Sequence, residues 1–397
     1  MNANQNIFGR DPLVNRILEL LQREEAESIL LMAERRIGKT TVMDLIRDKA
    51  PPNVHCTYIE VSKISTTKAF VEALMRSLSP FMETKAAMFT KFKGLVNAAG
   101  GTEIGGIIKL PELAEQDWQK ILGKLFDTIE IDPDHYLLLL IDELPFMLQK
   151  IAHSDGGSEA LNVIDFLRAL RQDHKEYLRM VFAGSVGLHH VITTLRDNKF
   201  ASEPVNNMRN MEVGPLKPVQ AMDLAKHQLK VEKLKVSSEI VLKICEEADH
   251  VPFYIKRIIL RLAEDGRPVT IELVEEVVAK QLCDDADDWE MEHFRTRLPI
   301  YYPGIISSAQ GGDITRSQLA TEILDSFAVT DQPLSIADIF KQLKSRLELA
   351  DQDRKQVVDI LRLLSLDHYV KSNTKKEYEF RFPLVKRWWI LAQGLTK

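Results

Sequence analysis

The stretch 28-SILLMAERRIGKTTVMDLI-46 decides how the rest of the chain is interpreted. Residues 28–33 form a short apolar run suited to a buried strand, and the apolar residues within 40–48 are spaced along one face of a helix. Between them, 34-ERRIGKT-40 matches the last seven of the eight positions of the pattern G-x-x-x-x-G-K-S/T. The order of strand, loop and helix therefore predicts a phosphate-binding loop, with a chance match in a βα unit as the alternative.

The last three residues of this pattern have distinct expected roles. The amides around Gly38 lie at a helix N-terminus, where unpaired N–H groups and the helix dipole favour a phosphate, and a Cβ at Gly38 would collide with it. Lys39 is expected to reach the β- and γ-phosphates of ATP, and Thr40 to offer its hydroxyl to Mg²⁺. The candidate nucleotide-binding residues of the loop are Glu34, Arg35, Arg36, Ile37, Gly38, Lys39, Thr40 and Thr41.

Ala33 stands where the pattern has its first glycine. This position lies at the exit of the strand, where a side chain costs at most about 1 to 2 kcal/mol if the backbone must adopt a positive φ. We therefore expect the loop to work without the glycine.

A metal-binding acid is expected at the end of a second apolar strand, 136-YLLLLIDELPFML-148. Asp142 would face Mg²⁺, while Glu143 would orient or deprotonate the attacking water. The alternative is that the two acids only cap a helix. A third strand, 178-LRMVFAGS-185, ends in Ser185, which is either a sensor of the γ-phosphate or a small residue that suits a turn.

The separation of Lys39 from Asp142 leaves room for another strand, 54-VHCTYIEV-61, and a helix that carries Phe70, Leu74 and Leu78. This arrangement predicts an ATPase with an extra strand between the loop and the metal-binding acid. The predicted fold class is α/β: a P-loop NTPase core with a parallel sheet, followed by a helical lid and a C-terminal winged helix.

Composition excludes several classes of protein. The chain has 397 residues, of which 45% are hydrophobic and 28% are charged, as is usual for a globular protein of two or three domains. No apolar run approaches the length of a membrane span, and the N-terminus lacks an apolar signal core, so we expect a cytoplasmic protein without membrane contact. The net charge of −6 gives no general attraction to nucleic acid, so any such contact is local.

Taken in order, these motifs resemble the archaeal-type ATPases of the STAND class, which are related to AAA+ and origin-recognition ATPases. The matching segments are 7-IFGRDPLVNRIL-18, AERRIGKTT, LLIDELPFML, VFAGSVG, 203-EPVNNMRNMEVGPLKP-218 and 249-DHVPFYIKRI-258. They cover most of residues 7–265.

The resemblance implies further site residues. It places Phe8, Gly9 and Arg10 near the adenine, Pro252 in the lid motif, and Arg209 at the phosphates or across a subunit interface. Two departures stand out, because the lid motif lacks its glycine at His250-Val251-Pro252 and the segment before the last strand reads Asn-Met-Arg.

Arg10 and Arg209 each have an alternative role that involves no nucleotide. From the residues alone, Arg10 either contacts the base or sugar or is an exposed arginine. Asp11 is expected to cap the helix that follows. The alternative for Arg209 is an ion pair with Glu203 or Glu212.

We predict three domains: an ATPase core over residues 1–213, a helical lid over 214–290 and a winged helix over 291–397. Within the core, residues 91–112 predict an inserted hairpin that contacts a partner or DNA, or is only an extra edge. In the last domain, Tyr378, Phe380 and Phe382 alternate as a strand after the turn SNTKK. Trp388 and Trp389 are expected in the core.

A local excess of basic residues follows Leu361. It comprises Arg362, Lys371, Lys375, Lys376, Arg381, Lys386, Arg387 and Lys397, against Asp367, Glu377 and Glu379. Such a domain binds duplex DNA or serves a protein partner or self-association. The predicted function is an ATP-hydrolysing switch, with an oligomeric DNA-binding AAA+-like ATPase and a non-hydrolysing nucleotide-stabilised scaffold as alternatives.

Overall fold

The computed structural model describes residues 7–23, 27–83, 86–98, 100–104, 107–109, 117–184, 187–191, 208–307 and 312–395. Its contacts divide the chain into two compact units. One unit is Arg10–Gly214, and the other combines Met1–Gly9 with Pro215–Lys397. The three predicted domains, with their borders at residues 213 and 290, stay a prediction.

The unit Arg10–Gly214 alternates strands and helices around one sheet. Its elements are α1 (Asp11–Leu21), β1 (Ser28–Met32), α2 (Lys39–Lys49), β2 (Val54–Glu60), α3 (Thr67–Met82), α4 (Ala86–Ala98), β3 (Thr102–Ile104), β4 (Ile107–Lys109), α5 (Asp117–Asp127), β5 (Tyr136–Asp142), α6 (Leu144–Ser154), α7 (Gly157–Asp173), β6 (Leu178–Gly184) and β7 (Met208–Glu212).

The main sheet has the strand order β2-β5-β6-β1-β7, and all neighbouring strands are parallel. Leu137 and Leu139 of β5 face the core built with α3, α5 and α7, whereas Leu138 and Leu140 on the other face are equally buried. Burial on both faces explains the unbroken apolar run in β5. The predicted α/β fold class is confirmed.

The strand order corrects the position expected for the extra strand. β2 follows the phosphate loop along the chain, but in the sheet it forms the edge beyond β5. The strand that separates β1 from β5 is β6. In the sheet, the strand between β1, which leads into the loop, and β5, which ends in Asp142, is therefore the one that precedes Ser185.

The segment predicted as a hairpin from residue 91 begins with the end of a helix. Met88, Phe92 and Val96 are buried in α4, and their spacing of four residues is that of a helix face. Strands β3 and β4 follow as an antiparallel pair with Thr102 opposite Lys109. The helical period of these residues ends just before the two glycine pairs, so the helix and the strand pair are separate elements.

The second unit is mostly helical. Its elements are α8 (Pro218–Val231), α9 (Ser238–Glu247), α10 (Pro252–Asp265), α11 (Ile271–Leu282), α12 (His293–Thr296), α13 (Leu298–Tyr301), β8 (Ile305–Ser307), β9 (Asp313–Thr315), α14 (Arg316–Ala328), β10 (Leu334–Ser335), α15 (Ile336–Arg346), a 3₁₀ turn (Asp351–Asp353), α16 (Arg354–Leu366), β11 (Val370–Ser372), β12 (Glu377–Phe380) and α17 (Pro383–Ala392). Among the described residues, no helix is both long enough and apolar enough to cross a bilayer.

In the described part of the last hundred residues, helices α14, α15, α16 and α17 accompany a small sheet of order β10-β12-β11. Phe382 lies outside β12, which ends at Phe380, and instead directly precedes α17. Trp388 and Trp389 are buried, and the indole N–H of Trp389 donates to Asp325 Oδ1 at 2.7 Å. Their expected core role is confirmed, while the winged-helix assignment stays a prediction.

Candidate phosphate and metal site

The loop between β1 and α2 has two residues in the left-handed backbone region. Gly38 has φ +103° and Arg36 has φ +70°. A Cβ on Gly38 would come only as near as 3.7 Å to Thr41 Oγ1. In this structure glycine is therefore needed for backbone conformation, whereas the expected collision with a bound phosphate stays a prediction.

Ala33 does not have a positive φ, so its side chain carries no backbone strain. Lys39 is 7% exposed, and its ammonium donates to the carbonyl oxygens of Ala33 at 3.2 Å and Glu34 at 3.3 Å. Ala33 thus contributes a main-chain carbonyl that any residue could supply. The backbone at this position therefore does not require glycine, while the working of the loop without it stays a prediction.

Thr40 and Asp142 meet although 102 residues separate them. The Thr40 hydroxyl donates to Asp142 Oδ2 at 3.0 Å, and the main-chain N–H of Glu143 donates to Asp142 Oδ1 at 3.0 Å. Asp142 is 2% exposed, and this burial raises the pKa of its carboxyl, with the hydrogen bond from Thr40 opposing the rise. The two predicted metal ligands are therefore brought together at the carboxyl edge of the sheet.

The ligand atoms at this point suit Mg²⁺. Thr40 offers a hydroxyl oxygen that retains its lone pairs while donating to Asp142, and Asp142 offers a buried carboxylate. Mg²⁺ prefers hard oxygen ligands and usually keeps some of its waters. A small oxygen-lined site beside a phosphate loop fits this preference.

Glu143 lies at the turn between β5 and α6. Its φ is +62°, and its side chain makes no capping hydrogen bond to the helix that follows. Glu143 therefore occupies the N-cap position of α6, but its side chain does not cap the helix. Its role as the group that orients or deprotonates water stays a prediction.

Tyr58 is the residue that sequence reasoning missed. Its hydroxyl donates to Asp142 Oδ2 at 3.1 Å. Burial, together with the charge of Asp142, raises the pKa of Tyr58 above its usual value, so the phenol stays protonated and acts as a donor. No local motif marks this tyrosine, because the contact depends on the pairing of β2 with β5.

Arg10 supports the phosphate loop from the start of α1. Arg10 is 6% exposed. Its Nη2 donates to the carbonyl of Ile37 at 2.6 Å and its Nη1 to that of Gly214 at 2.8 Å. The alternative of an exposed arginine is wrong, while contact with a base or sugar stays a prediction. Asp11 is the first residue of α1 rather than its cap, and its carboxylate pairs with Lys49.

Arg209 lies near the start of β7, where Nε donates to Glu27 Oε2 at 2.8 Å. The alternative role is an ion pair with Glu203 or Glu212, whereas the pair in the structure is with Glu27. Glu203 lies outside the described residues. Register places Arg209 opposite Ile29, three residues or roughly 10 Å before the end of β1. Its action on a neighbouring subunit stays a prediction.

For Ser185, Phe8, Gly9 and Pro252, the predicted roles stay predictions. Ser185 lies outside the described residues, one position after the end of β6. Phe8, Gly9 and Pro252 belong to the other unit. There the Phe8 ring lies 5.5 Å from that of His227, Gly9 has φ +71°, and Pro252 begins α10.

The chain is similar in structure to several solved proteins. The Walker-type ATPase PABY2304 of Pyrococcus abyssi has 15% identity, with 97% of each chain covered and a TM-score of 0.63. The ORC2 protein of Aeropyrum pernix has 12% identity, 98% coverage of each chain and a TM-score of 0.49. The RuvB Holliday junction branch migration motor of Thermotoga maritima has 11% identity, coverage of 98% of this chain and 94% of that one, and a TM-score of 0.40.

No family model and no curated protein sequence matches the chain. At these identities the structural likeness shows the fold alone. The chain has the α/β fold of P-loop ATPases.

Proposed function

We propose that the chain is an ATP-binding and ATP-hydrolysing switch of the STAND type. The observation that carries the proposal is the 3.0 Å hydrogen bond between Thr40 and Asp142, which joins the phosphate loop to the acid predicted to bind Mg²⁺. A chance GKT sequence would have no reason to lie against a buried carboxylate from another strand. The contact between Thr40 and Asp142 therefore supports a nucleotide site independently of the sequence motif.

Each nearby residue has a role in this function. Lys39 and the amides of the loop hold the phosphates, while Thr40 and Asp142 hold Mg²⁺. When bound, Mg²⁺ supplies positive charge that stabilises the transferring phosphoryl group. Glu143 orients the attacking water or accepts its proton.

Further contributions are proposed for residues beyond this cluster. Ser185 would sense the γ-phosphate, and Arg209 would act across a subunit interface. Phe8, Gly9, Arg10 and Pro252 would contact the adenine. Changes in nucleotide state would then be passed to the C-terminal winged helix.

Engagement of duplex DNA through the turn between β11 and β12 is a second candidate function. Lys375 and Lys376 are exposed there, and neither ammonium pairs with an acid within the part of the chain that the structure describes. Other members of the basic excess are neutralised, as in the pairs Lys371–Glu379 and Arg387–Glu247. The DNA contact is therefore proposed for the turn rather than for the whole basic segment.

Nucleotide binding and single-turnover hydrolysis in Mg²⁺ test the main proposal. Wild-type protein is expected to bind ATP and convert it to ADP, and Lys39→Ala is expected to lose binding. Lys49→Ala, at the exposed far end of the same helix, is the matched control and should behave like wild type. Absence of ATP binding by the wild type would refute the proposal, whereas binding without turnover would favour the non-hydrolysing scaffold.

A further inference from the structure

Tyr58 contacts the metal-binding carboxylate from a strand that carries no nucleotide motif. Its hydroxyl donates to Asp142 Oδ2, the same oxygen that accepts a hydrogen bond from Thr40. The other oxygen, Oδ1, accepts from the N–H of Glu143. Three donors therefore hold both oxygens of one buried carboxylate.

Strand register explains why a tyrosine reaches this position. Glu60 lies opposite Asp142 and Tyr58 lies opposite Leu140 in the parallel pair of β2 with β5. Residues two apart on a strand share a face, so Tyr58 is a diagonal neighbour of Asp142 on that face. Diagonal neighbours lie within the reach of an aromatic side chain but not of a short one.

The ring of Tyr58 is also in contact with the helix that follows the phosphate loop. The guanidinium of Arg47 in α2 lies 5.9 Å from the ring centroid, within the range of a cation–π interaction. Arg47 is itself held by Asp44 at 3.0 Å. The tyrosine thus connects Asp142 to the same helix that begins with Lys39 and Thr40.

We propose that Tyr58 is a positioning residue for Mg²⁺ in this site. It fixes the rotation of the Asp142 carboxylate, so that Asp142 and the Thr40 hydroxyl present their oxygens together when Mg²⁺ and ATP bind. The inference rests on the proposed function. Partners that orient metal ligands typically change metal affinity by about 10- to 100-fold when they are removed.

The test compares nucleotide affinity with and without metal in Tyr58→Phe, which removes only the hydroxyl. Binding of a non-hydrolysable ATP analogue is measured by titration calorimetry in Mg²⁺ and in EDTA. Affinity in Mg²⁺ is expected to fall about tenfold and to recover at high Mg²⁺, while affinity in EDTA changes less than about twofold.

Tyr177→Phe is the matched control. The Tyr177 hydroxyl donates to the carbonyl of Phe126 at 2.8 Å in the same unit, with no part in the site. This variant should leave both affinities unchanged. Thermal unfolding without nucleotide establishes that each variant is folded.

A double-mutant cycle distinguishes action through Asp142 from a general structural effect. In the background of Asp142→Asn, the further change Tyr58→Phe should have almost no effect on affinity in Mg²⁺. Wild-type affinity in Tyr58→Phe, or an equal loss with and without metal, would overturn the inference while leaving the proposed function intact. Failure of the wild type to bind nucleotide in either condition would overturn both.

Discussion

The guanidinium of Arg10 and the carbonyl oxygen of Ile37 form a buried hydrogen bond of 2.6 Å. The same side chain reaches Gly214 at 2.8 Å, so one planar group bridges the phosphate loop and the last residue of its unit. Burial lowers the pKa of Arg10 from its ordinary value, but an arginine still keeps its charge at physiological pH. The loop therefore has a fixed support that does not belong to its own motif.

Replacing Arg10 by lysine tests this support. Arg10→Lys keeps the charge but loses the planar fork, so we expect one carbonyl to lose its donor. ATP affinity should fall about tenfold, equivalent to about 1.4 kcal/mol. Equilibrium binding measures the change, with Arg16→Lys on the exposed side of α1 as the control. Unchanged affinity in Arg10→Lys would show that the bridge is not needed.

Restoring the missing glycine of the loop should have little effect. Ala33→Gly is expected to change ATP affinity by less than tenfold, because the backbone there is unstrained and its carbonyl contact with Lys39 is kept. Gly38→Ala should weaken binding, since a left-handed backbone costs a residue with a Cβ roughly 1–2 kcal/mol. A hundredfold gain in Ala33→Gly would mean that the native loop is impaired.

Glu143→Gln is expected to bind ATP normally and to hydrolyse it about 10² to 10⁴ times more slowly. The amide keeps the size of the side chain but does not accept a proton. Single-turnover hydrolysis measures the rate, and Glu60→Gln at the end of the neighbouring strand is the control. Wild-type turnover in Glu143→Gln would exclude this residue as the base.

Asp249 should make stability depend on pH. Burial raises the pKa of Asp249 to about 7, opposed by the hydrogen bond from the main-chain N–H of Leu384 at 2.7 Å and by the charge of Arg387. The folded protein therefore holds this proton more tightly than the unfolded chain. The resulting stabilisation is complete below about pH 4 and is lost as pH rises through about 7.

The substitution Asp249→Asn removes that dependence. Between about pH 5 and pH 8, the free energy of unfolding of the wild type should fall by about 2 kcal/mol relative to the variant. Urea unfolding at a series of pH values measures the difference, with Asp223→Asn on the exposed face of α8 as the control. Parallel pH profiles for wild type and Asp249→Asn would contradict the prediction.

The turn between β11 and β12 provides the test for DNA. Lys375→Glu with Lys376→Glu should weaken duplex binding equally for all sequences and lower its salt slope by roughly one unit per lost phosphate contact. Lys341→Glu with Lys344→Glu on α15 changes the net charge equally and serves as the control. If the two double variants bind alike, the C-terminal segment is better explained by a protein partner.

The sequence by itself determined the elements that depend on neighbours along the chain. The apolar runs predicted β1, β5 and β6, because strands covered on both faces need apolar residues at every position. The pattern around Gly38 and Lys39 predicted the loop, since helix amides and a left-handed glycine are local features. The apolar run of β5 predicted that Asp142 would lie at the end of a buried strand.

Only the tertiary structure decided which of these elements meet. The place of β6 between β1 and β5, the contact of Tyr58 with Asp142 and the bridge from Arg10 to Ile37 follow from strand order and register. Such contacts join residues far apart in sequence, and a tyrosine or arginine in an ordinary strand or helix carries no local sign of its partner. Burial of both sheet faces selects one arrangement of the strands. That arrangement determines which buried polar groups lie close enough to form hydrogen bonds with each other.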